Sequence, residues 1–116
     1  MTLIDFVEMF KYLSKHLQDQ NLSLDREIYN QIKASFIREA QKSWAKSDRH
    51  SHSLTYFLFL SIKMEFYDEE LFKFVVGELY YNQSQMELES VILLLFTFSR
   101  IERMIGHKDF EKILDN

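Results

Sequence analysis

Apolar residues recur at helical spacing almost from end to end of this chain. Leu3, Phe6, Val7, Phe10, Leu13 and Leu17 fall on one face of a helix predicted over about Thr2–Gln18, with Asp5, Glu8, Lys11 and Lys15 off that face. The polar run Asp19–Asn21 ends it. A second helix is predicted from near Asp25, an N-cap residue with Glu27 in its first turn, to about Ser47. In it Ile28, Ile32, Phe36, Ala40 and Trp44 recur every four residues, with Tyr29 beside them. The hydrophilic stretch 46–53 reads as a linking loop. A third helix, about Leu54–Phe66, is apolar almost all round and has to be covered on most sides. Tyr67 and Asp68 form the turn to a fourth, about Glu69–Tyr80, with Leu71, Phe72, Val75, Val76 and Leu79 as its stripe. Ser84 and Glu87 have the spacing of a capping box for a fifth helix that runs to about Ile105, again nearly all apolar. Gly106 stands where a left-handed C′ residue is wanted, and a short sixth helix from about Lys108 carries Phe110, Ile113 and Leu114 on one face.

Two stretches echo each other. Phe57–Glu78 laid on Leu95–Asn116 at a shift of 38 residues pairs Leu60 with Phe98, Ser61 with Ser99, Phe72 with Phe110, Val75 with Ile113 and Val76 with Leu114. A repeated pair of helices at this period is the mark of an α-solenoid, whose units bury their apolar faces only by stacking on one another. The expectation is therefore an all-α fold, a single domain over 1–116. Its three antiparallel helix pairs, about 1–47, 54–80 and 84–116, would stack as a short α-solenoid.

Composition agrees. There is no Pro and only two Gly, too few turn formers for a β-rich fold of this length. No Cys is present, which removes disulfides, thiol nucleophiles and thiolate metal sites from consideration. The net charge of −4 divides into +1 over residues 1–53 and −5 over 54–116, the opposite of what a general polyanion binder carries. The longest apolar runs, Leu54–Ile62 and Val91–Phe98, fall far short of the ~20 residues that span a bilayer.

Candidate chemistry is sparse. Arg38, Lys42, Lys46 and Arg49 lie three or four apart, in a band roughly 80° wide opposite the apolar face of the second helix. A phosphate backbone or an acidic protein surface could dock there, with Trp44 as a stacking residue. A solvated helix face, with Glu39 and Asp48 to pair with, accounts for the same basic residues, and Trp44 is as simply read as covering the end of the core where this helix meets the next hairpin. His50 and His52 could chelate a metal with Asp48 or His107, but two imidazoles in a surface loop are the simpler reading. Glu65, Asp68, Glu69 and Glu70 sit at a helix start, where carboxylates favour the positive end of the dipole. No nucleophile elbow or Gly-rich phosphate loop occurs. The reading therefore names no catalytic residue, cofactor or metal.

Residues 54–116 resemble the helical-hairpin repeats of organellar RNA-associated proteins, the heptatricopeptide and octotricopeptide type. The likeness rests on Glu87–Ile101 followed by Gly106–Phe110, and on Leu54–Met64 followed by Tyr67–Phe72, where Asp68, Glu70, Leu71 and Phe72 match the acidic-Leu-Phe start of the second helix. In residues 1–53, Asp25, Ile28 and Tyr29 stand in the places of Asp68, Leu71 and Phe72, at a spacing of 43. The resemblance implies a non-enzymatic interaction or scaffold module in a mitochondrial or other organellar assembly such as a ribonucleoprotein. Direct RNA binding and an unrelated helical-bundle adaptor are the alternatives. The expected partners are proteins of a larger complex, with RNA and a second copy of the chain also admitted. The end of the stack near Phe110, Ile113 and Leu114 is the expected contact surface.

Overall fold

A computed structural model describes residues 2–42, 50–81 and 86–115. Among them six helices and no strand are found: α1 (Leu3–Asp19), α2 (Arg26–Lys42), α3 (His50–Lys63), α4 (Glu69–Tyr81), α5 (Leu88–Ile105) and α6 (His107–Leu114). The fold is all-α. No helix of the described residues is long and apolar enough to cross a membrane.

α3 is the hub. It packs against α1, α4 and α5, while α1 also meets α2, α5 meets α6, and α2 reaches α4. Its ring of neighbours explains its composition, because ten of its fourteen residues are buried. Phe57 joins three helices: its ring centroid lies 3.9 Å from Phe36 of α2 and 4.6 Å from Phe10 of α1, both stacked. A second cluster joins α4, α5 and α6, where Phe72, Phe98 and Phe110 lie within 5.6–6.0 Å of one another. Phe72 and Phe110 are the pair at the 38-residue shift, and both are buried, as are Val75 and Ile113.

The turns repeat as well. After α1, the Leu22 amide bonds the Leu17 carbonyl and the Asn21 amide bonds Gln18, with Asn21 at φ 55°. After α3, Phe66 bonds Ser61 and Glu65 bonds Ile62, with Glu65 at φ 67°. Both are Schellman motifs with an apolar residue at C″, and they send the chain out of its first helix in the same way. Asp25 and Asp68 then accept from the amides of Ile28 and Leu71, so the same N-cap begins α2 and α4. The first hairpin thus shares turn and cap with the second despite its different spacing.

Several expectations change. His50–Ser53 are not a solvent loop: they form the first turn of α3, and His50, Ser51 and Ser53 are buried. Small hydroxyl side chains tolerate burial in a helix because they can bond a carbonyl one turn back, as Thr55 does to Ser51 at 2.9 Å. The Ser84 box is not the start of α5, whose N-cap is Glu87 with no side-chain capping bond; Ser84 itself lies outside the described residues. Gly106 has the positive φ expected, 94°, but ψ is 151°, so it is extended rather than left-handed helical. That region is essentially glycine's alone. In α2 the buried face is centred on Tyr29, Phe36 and Ala40, and Ile28 is 49% exposed.

Candidate protein-interaction surface

α5 is built against the usual rule. Its buried residues are Ser90, Thr97 and Ile101, two of them small and hydroxylated. Its outward residues include Leu88, Ile92, Leu95 and Phe96, exposed to 74%, 59%, 62% and 51%. At ~100° per residue these four and Ser99 share a ~100° band opposite the buried three. The small inward residues sit where α5 lies against α3, and His52 Nδ1 meets Ser90 Oγ at 3.0 Å across that contact. Thr97 satisfies its own hydroxyl on the Leu93 carbonyl at 2.8 Å. A scattered exposed leucine is ordinary, but a continuous stripe of large apolar side chains on one helix marks a contact surface.

The 38-residue shift makes the inversion explicit. Leu54, Phe57 and Leu58 of α3 are buried, and the residues 38 further on are Ile92, Leu95 and Phe96. The face that α3 turns inward is the one α5 turns outward. Beside the stripe Phe96 lies 6.1 Å from Phe59, and the Arg100 guanidinium is 6.0 Å from the Phe96 ring. A shallow hollow of about 510 Å³ continues from Phe96 past Arg103 and Met104 to Ile62 of α3. Another hollow, about 600 Å³, opens at the ends of α4 and α6 among Val76, Tyr80, Tyr81 and Leu114.

The residues singled out from sequence fare differently. Phe110 and Ile113 are buried against the α4–α5 cluster, so of the expected end-of-stack surface only Leu114 is exposed. The larger exposed apolar face lies on α5. Arg38 and Lys42 are exposed side by side, with Arg38 bonded to Ser35 at 3.1 Å, beside a hollow of about 260 Å³ that includes Phe6 and Glu39. Trp44, Lys46 and Arg49 lie outside the described residues, as does Asp48. His52 is occupied with Ser90, and His107 bridges Glu102 at 2.8 Å and Glu111 at 3.1 Å across the α5–α6 joint. The Glu102 hydrogen bond and the Glu111 charge raise the His107 pKa.

The acidic cluster is structural. Asp68 caps α4 and also holds Lys33 of α2 at 2.7 Å, with Glu70 3.5 Å from the same ammonium. Burial pushes the Asp68 carboxyl up, but the Lys33 bond, the Leu71 amide and the Lys33 charge outweigh it and hold its pKa below the ordinary value. Burial likewise opposes the Lys33 charge, and Asp68 and Glu70 together reverse this, raising its pKa. Burial raises the Tyr29 phenol to about 12, with the Ser61 hydroxyl opposing it in part. Yet among the described residues neither that phenol nor Ser61 Oγ meets a partner in hydrogen-bonding geometry. These shifted groups serve caps, joints and core.

Neither protein-family models, nor curated proteins, nor solved structures contain a match to this chain.

Proposed function

We propose that this protein is a non-enzymatic helical interaction module, a component of a larger assembly, that meets its partner through the outer face of α5. The exposed stripe Leu88, Ile92, Leu95 and Phe96 carries the reading, because it has core composition at a surface position. A stacked-hairpin, solenoid-like architecture is supported by the order of neighbours α1, α3, α5, by the α2–α4 contact, and by the shared turns and caps of the first two hairpins. The resemblance of residues 54–116 to heptatricopeptide-type repeats favours an organellar, mitochondrial setting such as a ribonucleoprotein, as an analogy of architecture.

Polar replacement of the stripe tests the reading. Leu88→Ser with Ile92→Ser and Leu95→Ser should keep the helical fold by far-UV circular dichroism with only a small loss in melting temperature, since these side chains are mostly exposed and Ser is only a slightly poorer helix former. The same variant, tagged and expressed at native level, should lose the proteins that co-purify with the wild type. Unchanged co-purification would remove α5 as the contact surface. Direct RNA contact is the second reading, favoured by the exposed neighbours Arg38 and Lys42. It requires RNA binding by the purified protein that falls steeply with salt and disappears in Arg38→Glu with Lys42→Glu.

A further inference from the structure

We infer that the partner seated on α5 is a second copy of this chain, paired with it antiparallel about a two-fold axis at Phe96. The inference rests on the reading of α5 as the contact surface and adds the occupant. It comes from the order of charge along the stripe. Glu89, Phe96 and Arg103 are spaced seven residues apart and so fall along one flank of α5, with Glu89 and Arg103 both exposed. Acid therefore stands at one end of that flank, an aromatic ring in the middle and a base at the other end. Each charge lies ~10 Å along the axis from Phe96, at 1.5 Å per residue.

When two helices pair antiparallel face to face, each flank meets the same flank of its partner. An isologous dimer then sets Glu89 of one copy opposite Arg103 of the other, twice, with Phe96 of each copy on the dyad. The two helix dipoles also oppose. A parallel pair would instead bring this flank to the opposite one, where Leu88 lies level with Glu89, so that Glu89 would face no base, and it would set like dipole ends side by side. Only the antiparallel orientation pairs Glu89 with a base.

The test is sedimentation velocity of the purified full chain across micromolar to submillimolar concentration. The wild type should show a reversible monomer–dimer equilibrium. Glu89→Arg and Arg103→Glu should each weaken it by about tenfold, because the dyad counts every reversal twice at a rim where an ion pair contributes modestly. The two together in one chain should restore wild-type association. Far-UV circular dichroism of the monomers should be unchanged, both residues being exposed. A wild type that stays monomeric throughout overturns the pairing while leaving the co-purification test of α5 intact. Tightening by Glu89→Arg, or no recovery in the double variant with fold retained, overturns the antiparallel geometry.

Discussion

The Lys33–Asp68 pair fastens the first hairpin to the second, and its contribution can be separated from that of the cap it shares. Lys33 Nζ lies 2.7 Å from Asp68 Oδ2, and the two side chains are only 12% and 18% exposed. The other Asp68 oxygen accepts from the Leu71 amide at 3.0 Å. Asn caps about as well as Asp, so Asp68→Asn removes the ion pair and keeps the cap, whereas Asp68→Ala removes both. A charge-assisted hydrogen bond at this depth contributes ~1.5–3 kcal/mol and the cap ~1 kcal/mol. Asp68→Asn should therefore cost about 2 kcal/mol and Asp68→Ala about 3 kcal/mol. Lys33→Met should cost about 2 kcal/mol, because it leaves a largely buried carboxylate with its backbone amide bonds and no cation.

Urea unfolding followed by circular dichroism, at neutral pH, measures all three variants and the Lys33→Met/Asp68→Asn double variant. The cycle should return a coupling of at least about 1 kcal/mol. The pH dependence has a defined sign. The Asp68 pKa is lowered from 3.8 by folding, so its share of the stability is present above that value and lost as pH falls through the folded pKa. The Lys33 pKa is raised from 10.5, so its share is present below that value and lost as pH rises through the folded pKa. The coupling should hold between those limits and vanish in acid. A coupling near zero at neutral pH, or one that persists in acid, would refute the reasoning.

Three further outcomes follow from backbone and core. Glu65→Gly should stabilise by ~0.5–1 kcal/mol, read as a higher urea midpoint at constant slope, because a non-glycine residue occupies a left-handed position at φ 67°. Gly106→Ala should destabilise by ~1–3 kcal/mol although a Cβ there meets nothing within 4 Å, which isolates conformational strain from crowding. Tyr29→Phe should leave stability unchanged or raise it by about 1 kcal/mol, since the phenol is buried without a partner in bonding geometry. It should also blunt the fall in stability above pH 10, where the unfolded phenol ionises and the folded one, held near 12, does not; a loss of 2 kcal/mol or more would mean that the hydroxyl is satisfied.

Periodicity made α1 and α4 legible because each has one covered side: Leu3, Val7 and Phe10, and Leu71, Phe72, Val75 and Leu79, are buried as their spacing requires. α2 was legible less completely. A strict spacing of four advances ~40° per step, so Ile28 drifts ~100° from the centre set by Tyr29, Phe36 and Ala40 and comes out into solvent. His50–Ser53 were misleading because composition measures polarity and not burial, and hydroxyls can be satisfied inside a helix pair. The outer face of α5 had a signal, the nearly unbroken Val91–Phe98 run, but such a run cannot say which side faces the core. That depended on α3 being approached by the small Ser90 and Thr97, which leaves the larger side chains outward.

The single residue between α5 and α6 has a kinetic consequence. α6 has eight residues, well below the ~12–15 at which an isolated helix begins to hold in water, and Gly106 supplies no side-chain cap. It persists because Phe110 is anchored on Phe72 and Phe98 and Ile113 is buried with it. α6 should therefore be the least stable of the six described helices, able to undock about one glycine without unfolding the α1–α3 core. Its amides should exchange with solvent well ahead of those of α3. Each opening would briefly bare the Phe72 and Phe98 rings, the latter on the same helix as the apolar stripe, widening the surface on offer at the moment an encounter begins.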